Sequence, residues 1–344
     1  MGSAQAKTDS DEFNSQSLPD EFTRRIVVLG KTGAGKSSLA NTLFGEPVFA
    51  ADSSPESGTS KCQAESRCVN GKKIIFIDTP GFFDTGRSEE AMKPEIMSCI
   101  TECAPGPHAF LIVLKVEKYT DQEKDIISKI IDYFSKEALK YAIVLFTHGD
   151  QLSEGSKIEE FVSQSENLKE LVRKCGRRCC VVDNKYWTKN QEDEYRSNAF
   201  QVKKLLSTID QIIEANKGSY YNTELLQAVK REIDQEHESI KESSSNLSQD
   251  EITQKAKSTV TGKLLYDTLG ISTEAIVKAF LLGATSGVMS GAVSGVVRVD
   301  EPILTLGVAL TRALAGAVTA YMEPEAPTAS AEAPVAEDSG EEQE

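Results

Sequence analysis

Short apolar runs alternate with stretches of helical periodicity between residues 24 and 215. Unbroken apolar runs are typical of strands buried on both faces of a sheet, and apolar residues spaced three or four apart indicate covering helices. The predicted strands are residues 25–29, 62–69, 73–77, 109–114, 141–146 and 179–182, and the predicted helices are residues 36–44, 90–100, 121–134 and 198–215. Asn70-Gly71 predicts a hairpin between the second and third strands. The pattern predicts an α/β fold with a mostly parallel sheet.

The chain divides further by composition. Residues 1–23 are polar and aperiodic, which predicts a disordered N-terminal segment before a domain over residues 24–218. Residues 219–260 are charged with apolar residues at helical spacing, and we interpret them as a helical connector. Residues 261–322 are rich in Gly and Ala and predict an apolar helical hairpin, whereas residues 323–344 form an acidic, Pro- and Ala-rich tail expected to be disordered.

Four glycines recur at every fourth position of the apolar region, at residues 283, 287, 291 and 295. On a helix they form a stripe that allows another helix to approach closely. Residues 275–297 and 303–322 are each near the roughly 20 residues that a membrane span needs. A membrane hairpin is therefore one interpretation. The alternative is a soluble helical pair packed on the preceding domain, which Arg312 near the middle of the second stretch keeps open.

Charge and cysteine content narrow the possible partners. The net charge of −15 makes nucleic-acid binding a poor hypothesis, because nucleic-acid phosphates would repel the chain. The seven cysteines lack the paired spacing of a zinc site, and no secretory signal peptide begins the sequence. We therefore expect free, buried thiols in a reducing compartment and a cytoplasmic location.

A P-loop pattern lies between the first predicted strand and the first predicted helix, with the sequence Gly30-Lys31-Thr32-Gly33-Ala34-Gly35-Lys36-Ser37 followed by Ser38. In this context backbone N–H groups and the helix N-terminus surround the phosphates of a nucleotide. Lys36 is expected to reach the β- and γ-phosphates, and the Ser37 hydroxyl is expected to bind Mg²⁺. We therefore expect all nine residues to belong to a nucleotide site.

Two further phosphate-side groups follow along the chain. Asp78-Thr79-Pro80-Gly81 ends the third predicted strand, where Asp78 can hold Mg²⁺ through water and the Gly81 N–H can sense a γ-phosphate. Thr59 lies in the polar connection after the first helix and could complete the Mg²⁺ shell in the GTP state. Thr42, Ser57 and Ser60 are alternatives to Thr59 in that role.

The nucleotide base is expected to lie near Thr147-His148-Gly149-Asp150, directly after the fifth predicted strand. The Asp150 carboxylate can accept hydrogen bonds from the N1–H and exocyclic amine of guanine, which adenine does not offer. His148 would stack on the base, although it is also interpretable as an ordinary loop histidine. Asn184 follows the sixth predicted strand and is placed to contact guanine O6.

These residues resemble the GIMAP (immune-associated nucleotide-binding) GTPases of the septin-like branch, which includes the chloroplast Toc receptors. The resemblance extends from Arg25 to Asn184 and rests on the P-loop and on residues 78–84, 103–109, 119–120, 145–147 and 175–180. It implies a domain that binds GTP or GDP and that dimerises or oligomerises through its nucleotide face in the GTP state. It also implies C-terminal attachment to an intracellular membrane.

Two features bear on catalysis. Lys118 stands where the resembled family often has an arginine that stabilises charge across the dimer, and lysine lacks the planar fork of arginine. Phe82 and Phe83 follow Gly81, so no glutamine is present there to orient a water molecule. The candidate catalytic residues are thus Lys36, Thr59 and Lys118, and slow intrinsic hydrolysis is expected.

The sequence therefore predicts a slow GTPase switch or scaffold that uses Mg²⁺ and assembles at an intracellular membrane. A second hypothesis is a soluble GTPase whose C-terminal helices pack on the G domain and keep it monomeric. A third is an ATP-dependent phosphotransferase, against which Asp150 and Asn184 argue.

Overall fold

The computed structural model describes residues 23–49, 62–81, 88–117, 128–131, 133–187, 194–244 and 246–282. Their centre is a six-stranded sheet in the order β2-β3-β1-β4-β5-β6. The strands are β1 (Thr23–Leu29), β2 (Gln63–Val69), β3 (Lys72–Asp78), β4 (Ala109–Lys115), β5 (Ala142–Thr147) and β6 (Cys179–Val181). Only β2 among them runs antiparallel to its neighbour, as the hairpin partner of β3. The predicted α/β fold with a mostly parallel sheet is confirmed.

The carboxyl ends of the parallel strands form the edge of the sheet at which a ligand is expected. β1 lies between β3 and β4. After β1 the chain forms β2 and β3 on one side of β1, and it then crosses to form β4, β5 and β6 on the other side. Ligands of open α/β sheets bind outside the carboxyl ends of the strands at such a switch point. β1, β4 and β5 are almost wholly buried, as their unbroken apolar sequences require, and they form a rigid base beneath that edge.

Helices cover both faces of the sheet. They are α1 (Lys36–Phe44), α2 (Glu89–Cys103), α3 (Lys136–Leu139), α4 (Ile158–Ser163), α5 (Glu166–Lys174), α6 (Asn198–Ala215), α7 (Glu224–Ser243), α8 (Gln249–Asp267) and α9 (Thr273–Leu282). The apolar sides of α1 and α6 pack on one face of the sheet. The apolar sides of α2, α5, α7, α8 and α9 contribute to the core on the other face. All seven cysteines are free thiols, and five of them are buried.

Helix α8 packs against α2 and runs antiparallel to it. Lys257 Nζ lies 2.6 Å from Glu102 Oε2 near the end of α2, and Lys93 Nζ near its start donates to the Thr268 carbonyl oxygen at 3.1 Å. Helix α7 packs against α8, and Lys263 bridges the two helices through Glu236 at 2.6 Å. The predicted division at residues 260 and 261 therefore falls inside a continuous helix, and this helix contacts the domain directly.

A buried tyrosine fastens the C-terminal helices to the sheet. The Tyr221 N–H donates to the Pro107 carbonyl oxygen at 2.8 Å, and its hydroxyl donates to the Leu281 carbonyl oxygen at 2.9 Å. A Cβ atom on Gly106 would lie 1.9 Å from the Tyr221 carbonyl oxygen, so only glycine admits this chain crossing. Since Pro107 precedes β4, the end of α9 lies near the amino ends of the strands.

Several sequence expectations concern residues outside the described ranges. They include the polar segments at both ends of the chain, most of the predicted helix at residues 121–134, and residues 283–322 with the glycine stripe. Residues 275–282 of the predicted apolar hairpin belong to α9. Within the described ranges, none of the helices has the length and apolar character needed to cross a membrane.

Candidate nucleotide-binding site

The P-loop pattern forms a tight turn between β1 and α1. Gly33 and Gly35 adopt positive φ angles of 75° and 84°, a conformation that favours glycine, and α1 begins at the next residue. Lys36 is 5% exposed, and its Nζ donates to the carbonyl oxygens of Gly30 and Lys31 at 3.0 Å each. The ammonium group thus lies across the mouth of the loop, beside the N-terminal backbone N–H groups of α1. An anion such as a phosphate is favoured at this position.

Neighbouring strands fix the position of the loop. A Cβ atom on Gly30 would lie 2.5 Å from the Val113 carbonyl oxygen of β4, so the start of the loop fits against that strand only as glycine. From the end of β5, the Thr147 hydroxyl donates to the Ala34 carbonyl oxygen at 2.8 Å. The buried Thr147 therefore helps to position the P-loop, and its predicted place beside the base stays a prediction.

Two side chains with oxygen atoms, those of Ser37 and Asp78, meet beside the loop. The Ser37 hydroxyl donates to Asp78 Oδ2 at 2.5 Å, which joins the start of α1 to the end of β3. Asp78 is fully buried, and the adjacent Thr79 hydroxyl donates to the Val28 carbonyl oxygen at 2.6 Å. Gly81 is buried three residues beyond Asp78. Hydroxyl and carboxylate oxygens are the ligands that Mg²⁺ prefers, so this pair fits the predicted metal.

The loop after β5 carries the predicted base contacts. His148 is exposed and has a positive φ of 58°, and its Nδ1 lies 3.0 Å from the Thr147 hydroxyl. Gly149 rests on the buried indole of Trp187, because a Cβ atom there would lie 2.5 Å from the ring. The loop is therefore supported by an aromatic ring, while His148 faces outward beside Asp150.

Asp150 lies against a second carboxyl group. Its backbone N–H donates to Asp183 Oδ2 at 3.3 Å, and Gln151 Nε2 donates to Asp150 Oδ2 at 2.6 Å. Burial and a hydrogen bond to the neighbouring Asp183 carboxyl group raise the pKa of Asp150 above its ordinary value. Burial opposes ionisation of Asp183, but hydrogen bonds from the Asp150 side chain and from backbone N–H groups lower its pKa overall.

Asn184 lies over the P-loop. Its Nδ2 donates to the Gly35 carbonyl oxygen at 3.2 Å, and its Oδ1 accepts from the Thr42 hydroxyl at 2.8 Å. Asn184 thus joins the loop after β6 to the start of α1. Thr42, one alternative to Thr59 as a Mg²⁺ ligand, is engaged in this contact and with the Ser38 carbonyl oxygen at 3.1 Å.

The structure brings together the P-loop residues, Asp78, Gly81, Thr147, His148, Asp150 and Asn184 at one edge of the sheet. Thr59 and Lys118, together with Ser57 and Ser60, lie outside the described residues, so their roles stay predictions. Sequence reasoning missed Asp183 and Trp187. Asp183 had a usable signal, since an acidic residue directly after a buried strand of a parallel sheet lies at the ligand-binding edge.

A P-loop after β1, an aspartate ending β3 and a mostly parallel sheet define an α/β domain of the P-loop GTPase class. The chain belongs to the AIG1 family, whose model matches residues 24–242. It is 33% identical over 229 residues to immune-associated nucleotide-binding protein 9 of Arabidopsis thaliana. This similarity covers 65% of this chain and 64% of that protein. It is also 33% identical over 222 residues to GTPase IMAP family member 8 of Mus musculus, covering 64% of this chain and 31% of that protein.

The chain thus spans between about one third and two thirds of the length of these relatives. Among solved structures it is similar to Toc33 from Arabidopsis thaliana in complex with GDP and Mg²⁺, with 23% identity and a TM-score of 0.45. That similarity covers 58% of this chain and 87% of the Toc33 chain.

Proposed function

We propose that this protein binds guanine nucleotides with Mg²⁺ and hydrolyses GTP slowly, as a switch whose GTP state pairs through the nucleotide face. The observation that carries the proposal is the convergence of Lys36, Ser37 and Asp78 at the carboxyl ends of β1 and β3. Lys36 supplies positive charge for the β- and γ-phosphates, and the loop supplies backbone N–H groups. Membership of the AIG1 family supports the same function.

Guanine is the proposed base because Asp150 follows β5 at the edge where the other site residues meet. Its carboxylate can accept both the N1–H and the exocyclic amine of guanine, while adenine would leave the charge unmatched. His148 is exposed beside it and is proposed to stack on the ring. Asn184, held between the P-loop and Thr42, is proposed to lie near guanine O6.

Ser37 and Asp78 are proposed to hold Mg²⁺, because their oxygen atoms are already adjacent. Bound Mg²⁺ neutralises charge on the β- and γ-phosphates. Thr59 is the proposed further ligand in the GTP state. Lys118 is proposed to stabilise charge across a paired molecule, as a point charge in place of the family's arginine.

Slow turnover is proposed because Phe82 and Phe83 follow Gly81, where no glutamine is present to orient water. The resemblance to the GIMAP and Toc GTPases supports pairing through the nucleotide face.

Attachment of residues 275–322 to an intracellular membrane is supported by the glycine stripe and apolar sequence alone. One observation favours the second hypothesis in part: α7, α8 and α9 pack on the domain as far as Leu282.

The proposal is tested with the full chain by measuring affinities for GTP, GDP and ATP, GTP hydrolysis at increasing protein concentration, and size with GDP or a non-hydrolysable GTP analogue. We expect guanine selectivity, a specific rate that rises with concentration, and a larger species with the analogue. Comparable affinity for ATP and GTP would contradict the guanine assignment. A fast, concentration-independent rate with one size throughout would contradict the paired switch.

A further inference from the structure

Asn198, the buried first residue of α6, holds both ends of the short segment that follows β6. The Asp183 N–H donates to Asn198 Oδ1 at 3.1 Å, and Asn198 Nδ2 donates back to the Asp183 carbonyl oxygen at 2.5 Å. The Asn198 backbone N–H donates to the Trp187 carbonyl oxygen at 3.3 Å. One residue of α6 therefore fixes the main chain of residues 183–187 at its start and at its end.

The Asp183 side chain joins this segment to the loop after β5. Asp183 is 2% exposed, and its Oδ1 accepts the backbone N–H groups of Lys185, at 2.9 Å, and of Tyr186. Its Oδ2 accepts the backbone N–H of Asp150 at 3.3 Å. All three donors belong to the main chain, so the Asp183 carboxyl group fixes the backbone of two separate loops.

Two further contacts hold the loop after β5 against the same segment. The Gly149 N–H donates to the Val182 carbonyl oxygen at 3.1 Å, and Gly149 rests on the Trp187 ring. The backbone of residues 149 and 150 is thus supported from residues 182, 183 and 187. Since Asn198 in turn fixes residues 183 and 187, the position of the Asp150 backbone depends on the start of α6.

Base recognition depends on where this main chain lies, because hydrogen bonds weaken steeply as distance and angle depart from their optimum. Both proposed base contacts are attached to it: Asp150 in the loop after β5, and Asn184 directly after Asp183. We propose that Asp183 and Asn198 are positioning residues for guanine specificity, which place Asp150 and Asn184 against the base through the main chain. This inference rests on the proposed guanine site and extends its support to α6, outside every nucleotide motif of the sequence.

The experiment measures the affinities of the full chain for GDP and for inosine diphosphate with Mg²⁺, by calorimetry. The two nucleotides differ only in the exocyclic amine of guanine, so the ratio of their affinities reports on the Asp150 carboxylate and not on the phosphate half. In the unmodified protein we expect GDP to bind about tenfold more tightly. Asp183→Ala and Asn198→Ala should bring this ratio to within about twofold of unity. Asp183→Asn keeps one acceptor oxygen and should give an intermediate ratio.

Asn216→Ala is the matched control at the other end of α6. Asn216 directly follows the last residue of that helix, and its Nδ2 donates to the Ile212 carbonyl oxygen at 2.8 Å. This variant also removes an asparagine side chain that is hydrogen-bonded to the main chain, but far from the loops after β5 and β6. It should lower the melting temperature and leave the ratio of the GDP and inosine diphosphate affinities unchanged.

Lower melting temperatures in Asp183→Ala and Asn198→Ala, with the ratio of the unmodified protein, would overturn the inference and leave both residues structural. If neither alanine variant folds, an unchanged ratio in Asp183→Asn would overturn it equally. Hydrogen exchange in the nucleotide-free, unmodified protein needs no variant, and rapid exchange of the Asp150 backbone N–H would show that Asp183 does not hold the loop. A ratio near unity in the unmodified protein, or its failure to bind GDP, would instead refute the proposed guanine site.

Discussion

The phosphate half and the base half of the candidate site are built in different ways. The phosphate half consists of one continuous loop whose backbone geometry is imposed by glycines, and Asp78, Thr147 and Asn184 contact it from distant parts of the chain. The base half is assembled from the loops after β5 and β6, and it depends on contacts of Asp150 with Asp183 and of Gly149 with Trp187. The first half is thus fixed mainly by local sequence, and the second by contacts between separate loops.

The largest effect should come from breaking the phosphate half. Lys36→Ala removes a charge that can make two charge-assisted hydrogen bonds to phosphate oxygens, so GTP affinity should fall on the order of 100-fold or more. Ser37→Asn, which disturbs the proposed Mg²⁺ ligand, should also weaken GTP binding strongly. Titration with a fluorescent GTP analogue measures both. Unchanged affinity in the two variants would show that the P-loop does not hold the nucleotide.

Breaking the base half should change selectivity more than phosphate binding. Asp150→Ala removes the carboxylate that distinguishes guanine, so the ratio of GTP to ATP affinity should fall by about 100-fold, towards unity. Competition of GTP and ATP for the same labelled nucleotide measures this ratio. Equal weakening of GTP and ATP binding, without a change in the ratio, would place Asp150 outside base recognition.

A smaller effect is expected from the aromatic support of the base half. In Gly149→Ala the added Cβ would meet the buried Trp187 ring at 2.5 Å, and such overpacking should cost about 1–3 kcal/mol of unfolding free energy. Trp187 is the only tryptophan of the chain, so its fluorescence reports directly on this contact. We expect a lower melting temperature, altered emission and weaker guanine binding.

Gly45→Ala is the control for that variant. Gly45 also has a positive φ, of 72°, but nothing lies within 4 Å of an added Cβ atom. It should lower stability modestly through backbone strain and leave Trp187 emission and guanine affinity unchanged. Equal effects of the two substitutions on guanine affinity would mean that Trp187 does not support the base loop.

A further effect concerns folding and involves the opposite edge of the sheet, at the amino ends of the strands. Burial, together with the charges of Arg25 and Arg24, lowers the pKa of His108 to about 3, and its Nδ1 accepts the Arg25 N–H at 3.0 Å. Between pH 6.5 and 3 the unfolded chain binds this proton and the folded chain does not. The contribution of His108 to stability is therefore complete above pH 6.5 and falls by about 1.4 kcal/mol per pH unit below it.

Denaturant unfolding at pH 7 and 5 checks this effect, and His108→Gln should have a shallower dependence on pH. An identical dependence in the two proteins would mean that His108 is not held neutral.

The difference between the two halves also explains what could be predicted from sequence. The strands and the P-loop could be predicted from local sequence. Strands buried on both faces have unbroken apolar runs, and the P-loop has glycines at fixed spacing. Helix α6 was predicted at Asn198–Ala215, where the structure has it. The pairing of Asp150 with Asp183 could not be predicted, because it depends on how closely two separate loops approach. Packing of the C-terminal helices on the domain was one of two hypotheses, but the sequence did not identify α2 as the partner of α8, since a charged amphipathic sequence does not specify its partner.

The buried tyrosine at the amino ends of the strands has a geometric consequence for assembly. Tyr221 holds the Leu281 carbonyl oxygen beside Pro107, on the side of the sheet away from the P-loop. Leu282, the last described residue, therefore lies near the amino ends of the strands and not at the nucleotide edge. A tether joined at this point would hold the domain with its nucleotide edge facing outward. Attachment at the amino ends of the strands and pairing through the nucleotide edge would then use opposite sides of the domain and would not interfere with each other.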